Sequence, residues 1–150
     1  MIYGLDLSIA NTGVAILDEN QNVVYVGSIN TLPKDSTGVR LNTIREFLLG
    51  LMQQYPPKII CIERGFSRFH NATQVLYQVH GVAAELFHEF KQVYYTPNHV
   101  KKCITGDGHA KKAVVMDSIK EMYPNIKVKN YDEADALAIA SVYFGGATNE

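Results

Sequence analysis

The chain reads as an α/β fold: a mixed five-stranded sheet, three antiparallel strands and then parallel ones, with helices on both faces. Three observations predict it. The first thirty residues hold three short apolar runs separated by turn residues. KIICIE at 58–63 is a continuous apolar run, as a strand buried on both faces requires. Segments of helical period stand before and after it.

Ile2–Leu7 is the first strand, and Ser8–Gly13 carries turn chemistry, with Asn11 and Gly13 tolerant of positive φ. Val14–Asp18 is the second strand, Glu19–Asn22 a tight turn and Val23–Ile29 the third strand, which makes a meander. Thr31–Thr37 is a polar loop. Leu41, Ile44, Leu48, Leu51 and Met52 then repeat at three and four residues, so 39–55 is a helix with one apolar face, stopped by Pro56-Pro57. Lys58–Glu63 is the fourth strand and Arg64–His70 a loop. Asn71 or Thr73 caps a helix running to about Phe90, and Gln92–Thr96 is the fifth strand. Pro97 opens a short helix to Ile104. Ala110–Met122 is a helix stopped by Pro124, and Asp132–Phe144 is the last helix, ended by Gly145-Gly146.

Length and composition suit one domain, 1–150, with 47% hydrophobic residues for its core. No apolar run is long enough to span a membrane, and MIYGLDLS lacks the basic start and cleavage site of a signal peptide. Cys61 and Cys103 form no C-x-x-C pair, so neither zinc nor a disulfide framework is expected; Cys61 reads as a core residue and Cys103 as inert. A reducing, cytoplasmic location fits. The net charge of −1 argues against nucleic acid, but its distribution softens that. Residues 99–129 hold seven lysines against Asp107, Asp117 and Glu121, a local +4 that a solvated helix face would explain about as well.

Four carboxylates carry the chemistry. Asp6 and Glu63 end apolar strands, where burial is costly unless something pairs with them. Asp132 and Asp135 lie three apart on one helix face. If the topology gathers them, they form an oxygen cage for hard cations, and two such cations side by side perform phosphodiester cleavage. This points to a metal-dependent nuclease. The bland readings are a turn-capping Asp6, a Glu63 paired with lysine and an Asp132 that caps its helix, the last being the stronger of the three. Glu133 is expected to be solvated.

These residues resemble the RuvC family of Holliday-junction resolvases, within the RNase H-like superfamily, over nearly the whole chain. GLDLSIANTGVAILD is similar to the first family motif, although Asp6-Leu7-Ser8 stands where the family usually has Asp-Pro-Gly. IICIERGF is similar to the second, HGVAAEL to a helix of the family's dimer, VKKCITGDGHAKK to a basic segment near the scissile phosphate, and DEADALAIA to the acidic end motif. The short chain resembles the phage branch.

The resemblance implies a homodimer that nicks opposed strands of four-way DNA junctions, leaving 5′-phosphate and 3′-hydroxyl ends, with forks and flaps as further substrates. It implies two Mg²⁺ ions per site, with Mn²⁺ able to substitute, bridged by Asp6 and completed by Glu63, Asp132 and Asp135. Lys112, adjacent to Lys111, aligns with the lysine that contacts the scissile phosphate, and Lys101 and Lys102 are expected on the DNA backbone; surface solubility is the alternative for each of these lysines. Phe66 aligns with an aromatic at the junction centre and Phe69 competes with it as the wedge; packing under the next helix is the bland alternative. Arg64 and Arg68 beside them would meet phosphates or stand solvated.

Three rival functions differ in kind. An ATP-handling domain of the actin and sugar-kinase type shares a Gly- and Ser-containing first hairpin, but it needs two domains and gives DEADALAIA no role. A YqgF-like nuclease would act on RNA with a similar site. A non-catalytic junction-binding module would not need all four acids.

Overall fold

A computed structural model describes residues 1–65 and 70–145, without the side chain of His70. The strands are β1 (Ile2–Asp6), β2 (Asn11–Leu17), β3 (Val23–Asn30), β4 (Ile59–Glu63) and β5 (Lys91–Tyr95). The helices are α1 (Thr37–Gln54), α2 (His70–Leu86), α3 (Pro97–Thr105), α4 (Lys112–Met122) and α5 (Tyr131–Val142). The sheet runs β3-β2-β1-β4-β5. β1 pairs antiparallel with β2 and parallel with β4; β2–β3 is antiparallel and β4–β5 parallel. This is the expected mixed sheet of three antiparallel strands followed by parallel ones.

Strand alternation sends side chains to two cores. Tyr3 and Leu5 of β1, Val14 and Ile16 of β2 and Ile60 and Ile62 of β4 face α1 and α2, against Ile44, Leu48, Val79 and Phe87. Ile2, Ala15, Leu17, Ile59 and Cys61 face α3, α4 and α5. By the same alternation Gly4 and Asp6 of β1, Asn11 and Gly13 of β2 and Glu63 of β4 lie on the α5 side. The register Asp6↔Gly13 and Glu63↔Tyr95 puts the two acids at one end of the sheet.

The helix ends have identifiable stops. Ser36 caps α1, its side chain accepting from the Val39 N–H, so the helix starts ahead of the expected Val39. At the other end the buried Tyr3 hydroxyl donates to the carbonyls of Leu51, at 2.9 Å, and Tyr55. Thr96 caps α3 at the Pro97 start. The second strand begins at Asn11, inside the expected turn.

α5 is buried nearly all round, from Ala134 to Val142 with Asp135 as the partly exposed exception. A helix apolar on every side belongs inside a protein. It lies directly on β1 and β2 because two glycines make room. A Cβ at Gly4 would stand 2.2 Å from the Ala136 carbonyl oxygen, and one at Gly13 would stand 2.2 Å from that of Asp132. Among the described residues no helix is long and apolar enough to cross a membrane.

Candidate functional site

Three elements meet at one end of the sheet. β1 and β4 end there in Asp6 and Glu63, and α5 begins there. The N-cap of α5 is Asn130, whose side chain accepts from the Glu133 N–H at 2.9 Å. Asp132 is therefore not the cap, contrary to the bland reading, and its carboxylate is released from that duty. Glu133 departs from expectation as well. It is buried, and its carboxylate accepts from the Lys129 N–H at 2.8 Å, completing the reciprocal bonds around the helix start.

A cleft of about 340 Å³ is lined by Asp6, Glu63, Asp132 and Asp135 together with Ser8, Lys101 and Lys112. Among the described residues no three His, Cys, Asp or Glu side chains already grip a single point. The acids ring an open cleft rather than a closed cage. A larger cleft of about 660 Å³ opens near Gln21 and Tyr123 at the other end of the sheet, but no acid or lysine lines it.

The charges explain the electrostatics. Burial, then the carboxylates of Asp135, Asp132 and Glu63, push Asp6 up to about 8. Burial, then Asp135, raises Glu63 to about 7 against the pull of Lys101 and Lys112. Burial likewise raises Asp135 to about 6, opposed first by Lys112. The cluster is short of positive charge even with both lysines beside it. Acids strained in this way, offering only oxygen donors, fit hard divalent cations, which would relieve the repulsion. Cys61, by contrast, is buried in the sheet, and burial pushes its thiol up to about 12.

Of the other expected residues, Lys111 and Lys102 are exposed and do not line the cleft; Lys111 is the N-cap of α4 and Lys112 its first residue. Arg64 stands over the Tyr94 ring at 5.3 Å, and its N–H donates to the Tyr95 carbonyl at 2.8 Å. Phe66, Arg68 and Phe69 lie outside the described residues. Sequence reasoning missed two participants. Ser8 lines the cleft, and the Asn11 side-chain amide donates to the Asp132 carboxylate. Strand alternation puts Asn11 on the face of Gly13, but no local pattern names Asp132 as its partner.

A family model described as crossover junction endodeoxyribonuclease RuvC matches residues 2–143. The chain belongs to the RuvC family. The RuvC of Wolbachia sp. subsp. Brugia malayi (strain TRS) is 36% identical over 146 residues, covering 93% of this chain and 90% of its own. The RuvC of Nitrobacter hamburgensis (strain DSM 10229 / NCIMB 13809 / X14) is 35% identical over 145 residues, covering 93% and 85%. Among solved structures, T. thermophilus RuvC in complex with Holliday junction substrate superposes with a TM-score of 0.81 at 22% identity, over 92% of this chain and 88% of that one. That likeness is one of fold: the sheet of this chain is RNase H-like. The RuvC family is one of metal-dependent nucleases.

Proposed function

We propose that the chain is a crossover junction endodeoxyribonuclease that resolves four-way DNA junctions, with forks and flaps as further substrates. The observation that carries this reading is the meeting of Asp6, Glu63, Asp132 and Asp135 with Lys101 and Lys112 around one cleft, in a member of the RuvC family. The four acids would hold Mg²⁺, two ions per site in our reading, with Mn²⁺ as a substitute. When bound, the ions supply activation of the attacking water and neutralisation of the leaving 3′ oxygen.

The protein's own groups do the rest. Lys112, at the first turn of α4, lines the cleft, where its ammonium would stabilise the negative charge that grows on the scissile phosphate. Lys101 is placed to hold a neighbouring phosphate, and exposed Lys102 and Lys111 extend that track outside the cleft. In the segment after β4, Phe66, or Phe69 in its place, is assigned to the junction centre, and Arg64, held over Tyr94, and Arg68 to the phosphates beside it. A homodimer presents two sites to opposed strands. The α2 face that carries Tyr77, 62% exposed, and Gly81, with open space above it, supports pairing there. Action on DNA of a bacterial or phage-infected cell places the chain in the cytoplasm.

The test is cleavage of a labelled four-way DNA junction in Mg²⁺ by the unmodified chain and by Glu63→Gln. Paired nicks by the first, and binding without cleavage by the second, are expected. Failure of the folded, Mg²⁺-supplied protein to nick junctions, forks or flaps, with cleavage of RNA instead, would move the assignment to an RNA-acting relative.

A further inference from the structure

Leu7-Ser8 follows Asp6, and Ser8 holds the turn through its hydroxyl. Its hydroxyl donates to the Asn11 carbonyl at 2.7 Å and accepts from the Asn11 N–H at 3.1 Å. Thr12 closes the other side. Its hydroxyl donates to the Ser8 carbonyl at 2.8 Å and accepts from the Ser8 N–H at 3.3 Å. The backbone of Asn11 is thus fixed in both directions. Its side chain lies on the α5 side of β2, where Gly13 lets the Asp132 backbone come close.

There the Asn11 Nδ2 donates to Asp132 Oδ2, a bond between residues 121 apart in the chain. An ionised carboxylate can only accept, so the amide has to present its N–H side. That orientation leaves Asn11 Oδ1 buried with no hydrogen-bond partner among the described residues. A buried oxygen left unpaired is unfavourable. The pose is accounted for by what the other end of the amide does for Asp132.

We infer that Asn11, locked by Ser8, is a positioning residue that fixes the Asp132 carboxylate for cation binding. The inference rests on the reading of Asp132 as a ligand. With one oxygen tied to the amide, the carboxylate cannot spin about its bond to Cβ, and the cation meets a ligand already oriented. Asn11 touches no substrate in this scheme and acts only through Asp132.

Calorimetric titration of the DNA-free protein with Mn²⁺ tests it, on the unmodified chain, Asn11→Leu, Asp132→Ala and the double variant. Leucine keeps roughly the volume of asparagine and removes the donor. Asn11→Leu should weaken Mn²⁺ affinity about tenfold or more, as loss of an outer partner does. Added to Asp132→Ala it should cost less than about twofold more, since the two act as one unit. Mn²⁺ affinity of Asn11→Leu within twofold of the parent, or an undiminished loss in the Asp132→Ala background, overturns the inference alone. Unchanged affinity in Asp132→Ala overturns the ligand reading and the inference with it. If circular dichroism shows Asn11→Leu unfolded, Ser8→Gly serves instead: it removes both hydroxyl bonds and should weaken Mn²⁺ binding in the same sense, and unchanged affinity overturns the lock.

Discussion

Asp6 is the residue under most strain, since burial and three neighbouring carboxylates all raise it, to about 8. The sign of the pH effect follows. Its folded value lies above the unfolded one of about 4, so the fold holds the proton more tightly. The stabilisation is complete below about pH 4 and drains away as pH rises toward 8, with Glu63 and Asp135 contributing over the lower part of that window. In chelator, Asp6→Asn should therefore melt higher than the parent at pH 8.5, with the difference shrinking toward pH 5; in Mg²⁺ the variant should not nick. A parent that melts higher than Asp6→Asn at pH 8.5 in chelator would refute this account of the cluster. Lys112 and Lys111 offer a second contrast at this scale. Only Lys112 lines the cleft, so single-turnover nicking should slow about 10²-fold in Lys112→Ala and stay near parental in Lys111→Ala.

α5 carries half of the acids, and its position depends on what is missing beneath it. Gly4→Ala or Gly13→Ala would drive a methyl group into helix backbone 2.2 Å away, which yields only if α5 slides. Each should cost about 1–3 kcal/mol in denaturant unfolding, and each should weaken Mn²⁺ binding as well, because Asp132 and Asp135 move with the helix. Ordinary melting together with ordinary Mn²⁺ affinity would show that the contact is not rigid. Much at this scale was legible beforehand. The order of apolar runs, the place of Asp6 and Glu63 at strand ends, and the three-residue spacing of Asp132 and Asp135 on one helix are local patterns, and local patterns survive folding. What escaped was non-local or set by side-chain competition. Nothing near Asn11 announces a partner 121 residues away, and Asp132 and Asn130 are equally good caps until the helix start is known. Glu133 looked solvated because its burial depends on the Lys129 N–H turning back toward it.

Seen as a whole, the molecule is nearly neutral at −1, which sits poorly with DNA. Four of its 15 acidic residues stand in the cleft, and neutralising them leaves 14 positive against 11 negative charges, or +3. The cations of the proposed site would thus change the sign of the protein. Junction affinity, measured by gel shift, should rise when chelator is replaced by Ca²⁺, and the gain should vanish in Asp6→Asn/Glu63→Gln, which starts with the site half neutralised. Equal affinity in chelator and Ca²⁺ would mean that the cleft does not bear on DNA capture.

The acids stand at positions 6, 63, 132 and 135, drawn from the first strand, the fourth strand and the last helix. No contiguous part of the chain short of nearly all of it contains the set. A chain still emerging from the ribosome has the first strand and its hairpin long before it has the helix that completes the cleft. On the proposed function, synthesis itself then acts as a safety catch: the nuclease site is incomplete until translation has delivered residue 135 and that helix has docked, and chains cut short upstream would be harmless to the nucleic acid around them.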